Sequence, residues 1–290
     1  MRQLDQCAEV NGIRLRYRLM GDGPLAILMH GFPQHSYCFR YVQPLLAAQG
    51  YTVVAPDMRG YGLSDKPLEG YDKRTMAADI RALIEHLGFE QATLIAGHDR
   101  GARVAHRFGL DHPDAVKHLA MLDLIPSREV KVSFNFDVAK RYWHWFFHMN
   151  ADLPEIFISS NLRPYIQMFF DNAYVRERCY EALDEYVESL ERPGALRAAL
   201  ADYRQTFTTD LEQDNVDAEQ GKKLEMPVLV LWGDKGLNAD AQKMSDLWHR
   251  YAVNVRTGSV PDCGYYMAEE QPEALVEHLV AFVAAGGTEA

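Results

Sequence analysis

The residues with the clearest chemical potential fall together at 92–107, ATLIAGHDRGARVAHR. The apolar run at 92–96 reads as a buried strand, and Ala102, Val104, Ala105 and Phe108 after it recur at helical spacing. Between them, Gly97-His98-Asp99-Arg100-Gly101 has the form of a nucleophile elbow, a strand-to-helix turn whose central position usually holds Ser. Two glycines let the backbone turn sharply and let neighbouring strands approach, so the central side chain stands exposed at the helix start. Here that side chain is a carboxylate. A carboxylate nucleophile attacks sp3 carbon and makes an alkyl ester, which points to opening of a carbon–halogen bond or an epoxide rather than to ester cleavage. A plain helix cap would also favour Asp99, but it explains neither glycine and not the preceding strand.

The elements that must position this elbow alternate along the chain. Residues 10–20 read as one half-exposed strand with a turn at Gly21-Asp22-Gly23, and 25–29 as a buried strand running into His30-Gly31-Phe32-Pro33. A helical pattern covers 36–48, a β-rich run 51–55, and Met76, Ile80, Leu83, Ile84 and Leu87 trace one face of a helix over 74–87. A strand over 116–122 ends at Asp123. From 127 to 214 the pattern is helical and aromatic, densest at Tyr142-Trp143-His144-Trp145-Phe146-Phe147. Alternation then resumes with a strand over 227–232, a helix over 241–251, a strand near 253–255 and a helix from 272 onward. Strands alternating with helices imply a parallel sheet covered on both faces. The helical middle is then a cap over the carboxyl ends of the strands, where such sheets bind ligands. The expected fold is an α/β-hydrolase core, class α/β, in two parts (1–126 and 215–290) around a cap at 127–214.

The 290 residues are ample for a sizeable core, and a formal net charge of -11 argues against nucleic acid or an anionic membrane surface as a general partner. An anionic substrate would need a local cationic pocket. Cys7, Cys38, Cys179 and Cys263 lack metal or disulfide spacing, which suits a reducing cytoplasm. No signal peptide, membrane span, phosphate-binding glycine loop or ligand cluster is read, so neither metal nor organic cofactor is expected.

His30-Gly31-Phe32-Pro33 follows an early strand, where this fold sets one donor of an oxyanion hole. The expected pair is the backbone N–H groups of Phe32 and of Arg100. With HGFPQ, RGYGLSDKP, GHDRGARV, YWHWFF and DYR, the whole chain is similar to the fluoroacetate and haloacetate dehalogenases. The resemblance implies Asp99 as nucleophile, Arg100 and Arg103 gripping a substrate carboxylate, and Asp123 as the acid that orients a catalytic His. It further implies His144, Trp145 and Tyr203 as donors to the departing halide, and a homodimer. Guanidinium suits a carboxylate well, and a small leaving anion needs N–H and O–H donors in place of water. The expected partners are therefore a small anionic organic substrate and halide.

One departure matters most. Where the family carries its catalytic His, the sequence Cys263-Gly264-Tyr265-Tyr266 holds Tyr265. A phenol with an ordinary pKa of about 10 is protonated at neutral pH and does not accept a proton as imidazole does. Displacement at Asp99 is thus expected to proceed while ester hydrolysis stalls. His98, beside the nucleophile, is expected to point away, and His249 and His278 to lie far from the site. After the strand at 227–232, Gly236 stands where relatives of the fold carry the acid and Asp234 is two residues early, which favours Asp123. A further cap Trp has no match, and Phe169 and Phe170 are the candidates to fill its space. Two other readings remain: an epoxide hydrolase, and a non-catalytic protein of this fold that binds a small acid.

Overall fold

The computed structural model describes residues 4–133, 135–236 and 241–286. Among them eight strands form one sheet: β1 (Leu4–Val10), β2 (Ile13–Met20), β3 (Leu25–Met29), β4 (Thr52–Pro56), β5 (Leu94–His98), β6 (Leu119–Leu122), β7 (Val228–Gly233) and β8 (Val255–Val260). Their order is β1-β2-β4-β3-β5-β6-β7-β8, antiparallel at β1, β2 and β4 and parallel from β4 through β8. Every residue of β3, β4, β5, β6 and β7 is buried. Continuous apolar strands are what a sheet covered on both faces requires. Among the described residues, no helix is long and apolar enough to cross a membrane.

Register brings the functional loops together. Met29 pairs with Gly97 across β3 and β5, and His98 pairs with Leu122 across β5 and β6. The segments starting at His30, Asp99 and Asp123 therefore leave the sheet side by side at its carboxyl edge. Backbone bonds continue the ladder past the strands, from Asp99 N–H to the Leu122 carbonyl (3.3 Å) and from Asp123 N–H to that of Leu231 (2.8 Å).

Several local expectations need amending. The strand expected over 10–20 is a hairpin, with β1 added and a turn at Asn11-Gly12. Both turn residues have positive φ (46° and 76°), the conformation for which Asn-Gly is the favoured pair. The helix expected over 36–48 divides into a 3-10 turn, Ser36–Phe39, and a helix, Val42–Ala48. The strand expected near 253–255 starts only at Val255 and runs to Val260, an edge strand whose half-exposed Arg256, Thr257 and Gly258 hide its β character. Among the described residues between β6 and β7 the elements are all helices, from Ser127–Val132 to Thr209–Glu219, and the last of these runs on past residue 214.

Candidate active site

β5 delivers Asp99 and the helix Arg100–Asp111 carries the chain away. Asp99 adopts φ 49° and ψ -112°, a strained conformation for a residue with a side chain, held by its surroundings. Those surroundings are close backbone. A Cβ on Gly101 would overlap the Met29 and His30 carbonyls, and one on Gly31 would lie 2.5 Å from the Asp99 Cβ and 2.7 Å from its Oδ2. The Phe32 N–H donates to Asp99 Oδ2 at 3.1 Å. Beneath it, His30 Nδ1 donates to the Gly31 carbonyl (3.1 Å) and Nε2 accepts from the Met58 N–H (3.0 Å). Complete burial pushes the His30 pKa down to about 4, so the imidazole is neutral and fixes the loop beside Asp99.

Asp123 closes β6, buried and also at positive φ, 51°. A Cβ on Gly236 would stand 3.4 Å from Asp123 Oδ2, so the turn after β7 meets the carboxylate that ends β6. Asp234 faces elsewhere: it binds Lys235 Nζ at 2.8 Å and accepts from the Cys263 N–H at 3.2 Å.

Tyr265 lines the same cavity as Asp99 and Asp123. Burial drives its pKa well above the ordinary phenol value, and the nearby Asp99 and Asp123 carboxylates add to the rise. The loop that carries it is held by the buried Glu270, which accepts from the N–H groups of Gly264 (2.9 Å), Tyr266 (2.8 Å) and Val175 (2.9 Å). His98 packs edge-on against Tyr265, ring centroids 4.7 Å apart, and lies outside the cavity wall. His249 is exposed and bonded to the Ser245 carbonyl at 2.8 Å, and His278 neighbours Arg256 and Ser259 near β8.

The two arginines part company. Arg100, expected to grip substrate, is wholly buried and absent from the cavity wall. It binds Asp202 through Nε (3.0 Å) and Nη2 (2.6 Å), with further bonds from Nη2 to the Asp202 carbonyl (2.8 Å) and the Thr206 hydroxyl (2.7 Å). Lys73 and the Tyr61 hydroxyl share the same carboxylate. Asp202 thus holds the Nε and Nη2 edge of this guanidinium, and its place directly before Tyr203 gave no signal of that in the sequence. Arg103 does line the cavity. Its guanidinium stacks 4.5 Å above the Trp145 ring and donates to the Ile125 carbonyl (3.2 Å) and Ser127 hydroxyl (2.6 Å).

His144, Trp145 and Tyr203 also line the cavity and form a triangle, with centroids 6.5 Å (His144–Trp145), 6.0 Å (His144–Tyr203) and 6.3 Å (Trp145–Tyr203) apart. Burial pushes His144 down to about 4, so it is neutral near pH 7, and raises the Tyr203 phenol well above its usual range, with Asp99 adding to it. Phe169 closes this corner, 5.2 Å from His144 and 5.4 Å from Phe32, whereas Phe170 turns away onto Tyr186 and Tyr266. Sequence reasoning missed Tyr142, Met168 and Lys235 on the wall. Tyr142 opens the aromatic run and could have been suspected, while the other two carry no local signal.

Residues 24–272 match the family described as the alpha/beta hydrolase fold. The chain is 37% identical over 284 residues to a soluble epoxide hydrolase of Corynebacterium sp. strain C12, covering 96% of each chain. It is 36% identical over 284 residues to a fluoroacetate dehalogenase of Burkholderia sp., covering 95% of this chain and 92% of the relative. The solved structure of the epoxide hydrolase CorEH superposes with a TM-score of 0.89 at 35% identity, covering 98% of this chain and 99% of that one. With the fold and nearly the full length shared, the chain belongs to the α/β-hydrolase fold family.

Proposed function

We propose that this cavity performs the displacement half of hydrolytic dehalogenation on a 2-halocarboxylate, of which haloacetate is the simplest. The observation that carries the reading is Arg103. Its guanidinium is buried, its two hydrogen bonds go to neutral oxygens, and its Nε has no partner among the described residues. Burial lowers its pKa, with Arg100 adding and the Asp99 charge opposing, and a buried cation with no carboxylate hydrogen-bonded to it is costly until a counter-ion arrives. A substrate carboxylate meets that demand and brings the α-carbon toward Asp99. With Oδ2 bonded to the Phe32 N–H, Oδ1 is the oxygen free to attack. The new C–O bond forms as the carbon–halogen bond breaks, and halide leaves with the bonding pair toward His144, Trp145 and Tyr203. Their ring N–H and O–H groups stabilise charge where it develops. Hydrolysis of the resulting ester needs a base, and a Tyr265 phenol raised well above its normal pKa is not one. The ester accumulates.

A second reading, epoxide opening at the same Asp99, draws on Arg100. With that guanidinium committed to Asp202, Arg103 is the one buried arginine left on the described cavity wall, and the Tyr203 hydroxyl could protonate the alkoxide. Intact-mass measurement separates the two. Chloroacetate should add the mass of a carboxymethyl ester to the protein and nothing to Asp99→Asn. An adduct of full reagent mass from an epoxide, with none from chloroacetate, would favour the second reading. Rapid steady halide release without adduct would contradict a stalled ester.

A further inference from the structure

The cavity is far larger than the reaction requires. Its volume is about 700 Å³. A haloacetate, at roughly 30 Å³ per heavy atom, the share of one water molecule in the liquid, fills about 150 Å³. Most of the space is therefore left over. Small acids bind by excluding water from a close-fitting site, and here a bound haloacetate would sit with water on its open side. The surplus space is not polar throughout. Ile125, Met168 and Phe169 give it an apolar wall, and Phe169 reaches down to Phe32 beside the nucleophile. At the exposed rim stand Lys140 and Arg141 with one carboxylate, Asp137, a net cationic group on a protein whose formal net charge is -11. A rim of that sign draws anions inward, and an apolar wall below it holds a carbon body.

We propose that the substrate is a 2-halo acid bearing an arylalkyl-sized side chain, with its carboxylate on Arg103 and its apolar body against Ile125, Met168 and Phe169. The inference rests on the displacement reading for its chemistry and on cavity shape for its size. The bonds made and broken are those already described.

Two measurements on the full chain test these parts separately. In calorimetry with halogen-free acids, 3-phenylpropanoate should bind at least about tenfold tighter than acetate, as burial of a ring predicts, and the binding should be lost in Arg103→Gln. Equal or weaker binding of the larger acid would overturn the size assignment, and undiminished binding in Arg103→Gln would overturn the carboxylate placement. In intact-mass time courses, 2-chloro-3-phenylpropanoate should alkylate Asp99 at least about tenfold faster than chloroacetate at equal low concentration. Tight binding of 3-phenylpropanoate with no adduct from either chloro acid would preserve the size assignment and sink the displacement reading. Adducts from both, with chloroacetate the faster, would do the reverse.

Discussion

Tyr265 and Asp202 each set the fate of a neighbour. The phenol occupies the wall beside Asp99 and Asp123 and keeps its proton, because burial and two carboxylates all oppose the phenolate. Replacing it with imidazole supplies a group that titrates near neutrality. In Tyr265→His, halide release from a haloacid should continue past one equivalent per chain, with turnover raised at least about 100-fold. A burst limited to one equivalent in that variant would count against Asp123 as the partner acid. Asp202 acts by charge. It is wholly buried, and Arg100 and Lys73 hold it well below the usual carboxylate range despite that burial. Asp202→Asn would leave the buried Arg100 without its carboxylate, while Lys73 keeps Asp210 at 3.1 Å, so we expect a loss of about 3–5 kcal/mol, read from the urea midpoint. An unchanged midpoint would mean that Arg100 is not committed as described.

Elements matter here through how closely they approach. The elbow is held where the loop after β3, the end of β5 and the start of the helix Arg100–Asp111 approach closely, backbone against backbone at Gly97 and Gly101 and against the Asp99 side chain at Gly31. Side chains there would push Asp99 out of its strained conformation. For Gly31→Ala we predict an alkylation rate at least about 100-fold lower, since displacement tolerates little misplacement, while circular dichroism stays native. Alkylation at the parent rate would show that the loop after β3 does not set the geometry of Asp99. Glu270 plays a comparable part for the Tyr265 loop. By accepting from Val175 as well as Gly264 and Tyr266, it ties the helical segment between β6 and β7 to the core.

Taken whole, the molecule buries imidazoles that must stay neutral. His30 is bonded as donor at one nitrogen and acceptor at the other, so protonation would set it against the Met58 N–H. Burial lowers His30 to about 4 and His106 to about 3. Their folded pKa values lie below the unfolded value of 6.5, so as pH falls through that value the unfolded chain takes up protons that the folded chain refuses. Stability is full above pH 6.5 and declines toward pH 4, by about 2 kcal/mol per histidine at pH 5. Melting temperature should drop between pH 7 and pH 5, and His106→Gln should flatten the slope. A melting temperature independent of pH across that interval would falsify this account.

Much of this was legible in the sequence, because it depends on neighbours along the chain. The Gly-x-Asp-x-Gly turn, the alternation of buried strands with helices, the aromatic run at 142–147 and the Tyr in the place of a His are all local patterns, and backbone geometry turns each into structure with little freedom. Which charges meet is not local. Arg100 and Arg103 share a helix and read alike, yet one finds Asp202 across the fold and the other finds only neutral oxygens. The same holds for Glu270 reaching Val175 and for the size of the cavity, which depends on how far the helices after β6 stand from the sheet. Ion pairing falls off steeply with distance and solvent exposure. Only the packed chain, which sets both, decides which guanidinium pairs with a carboxylate and which lines the cavity.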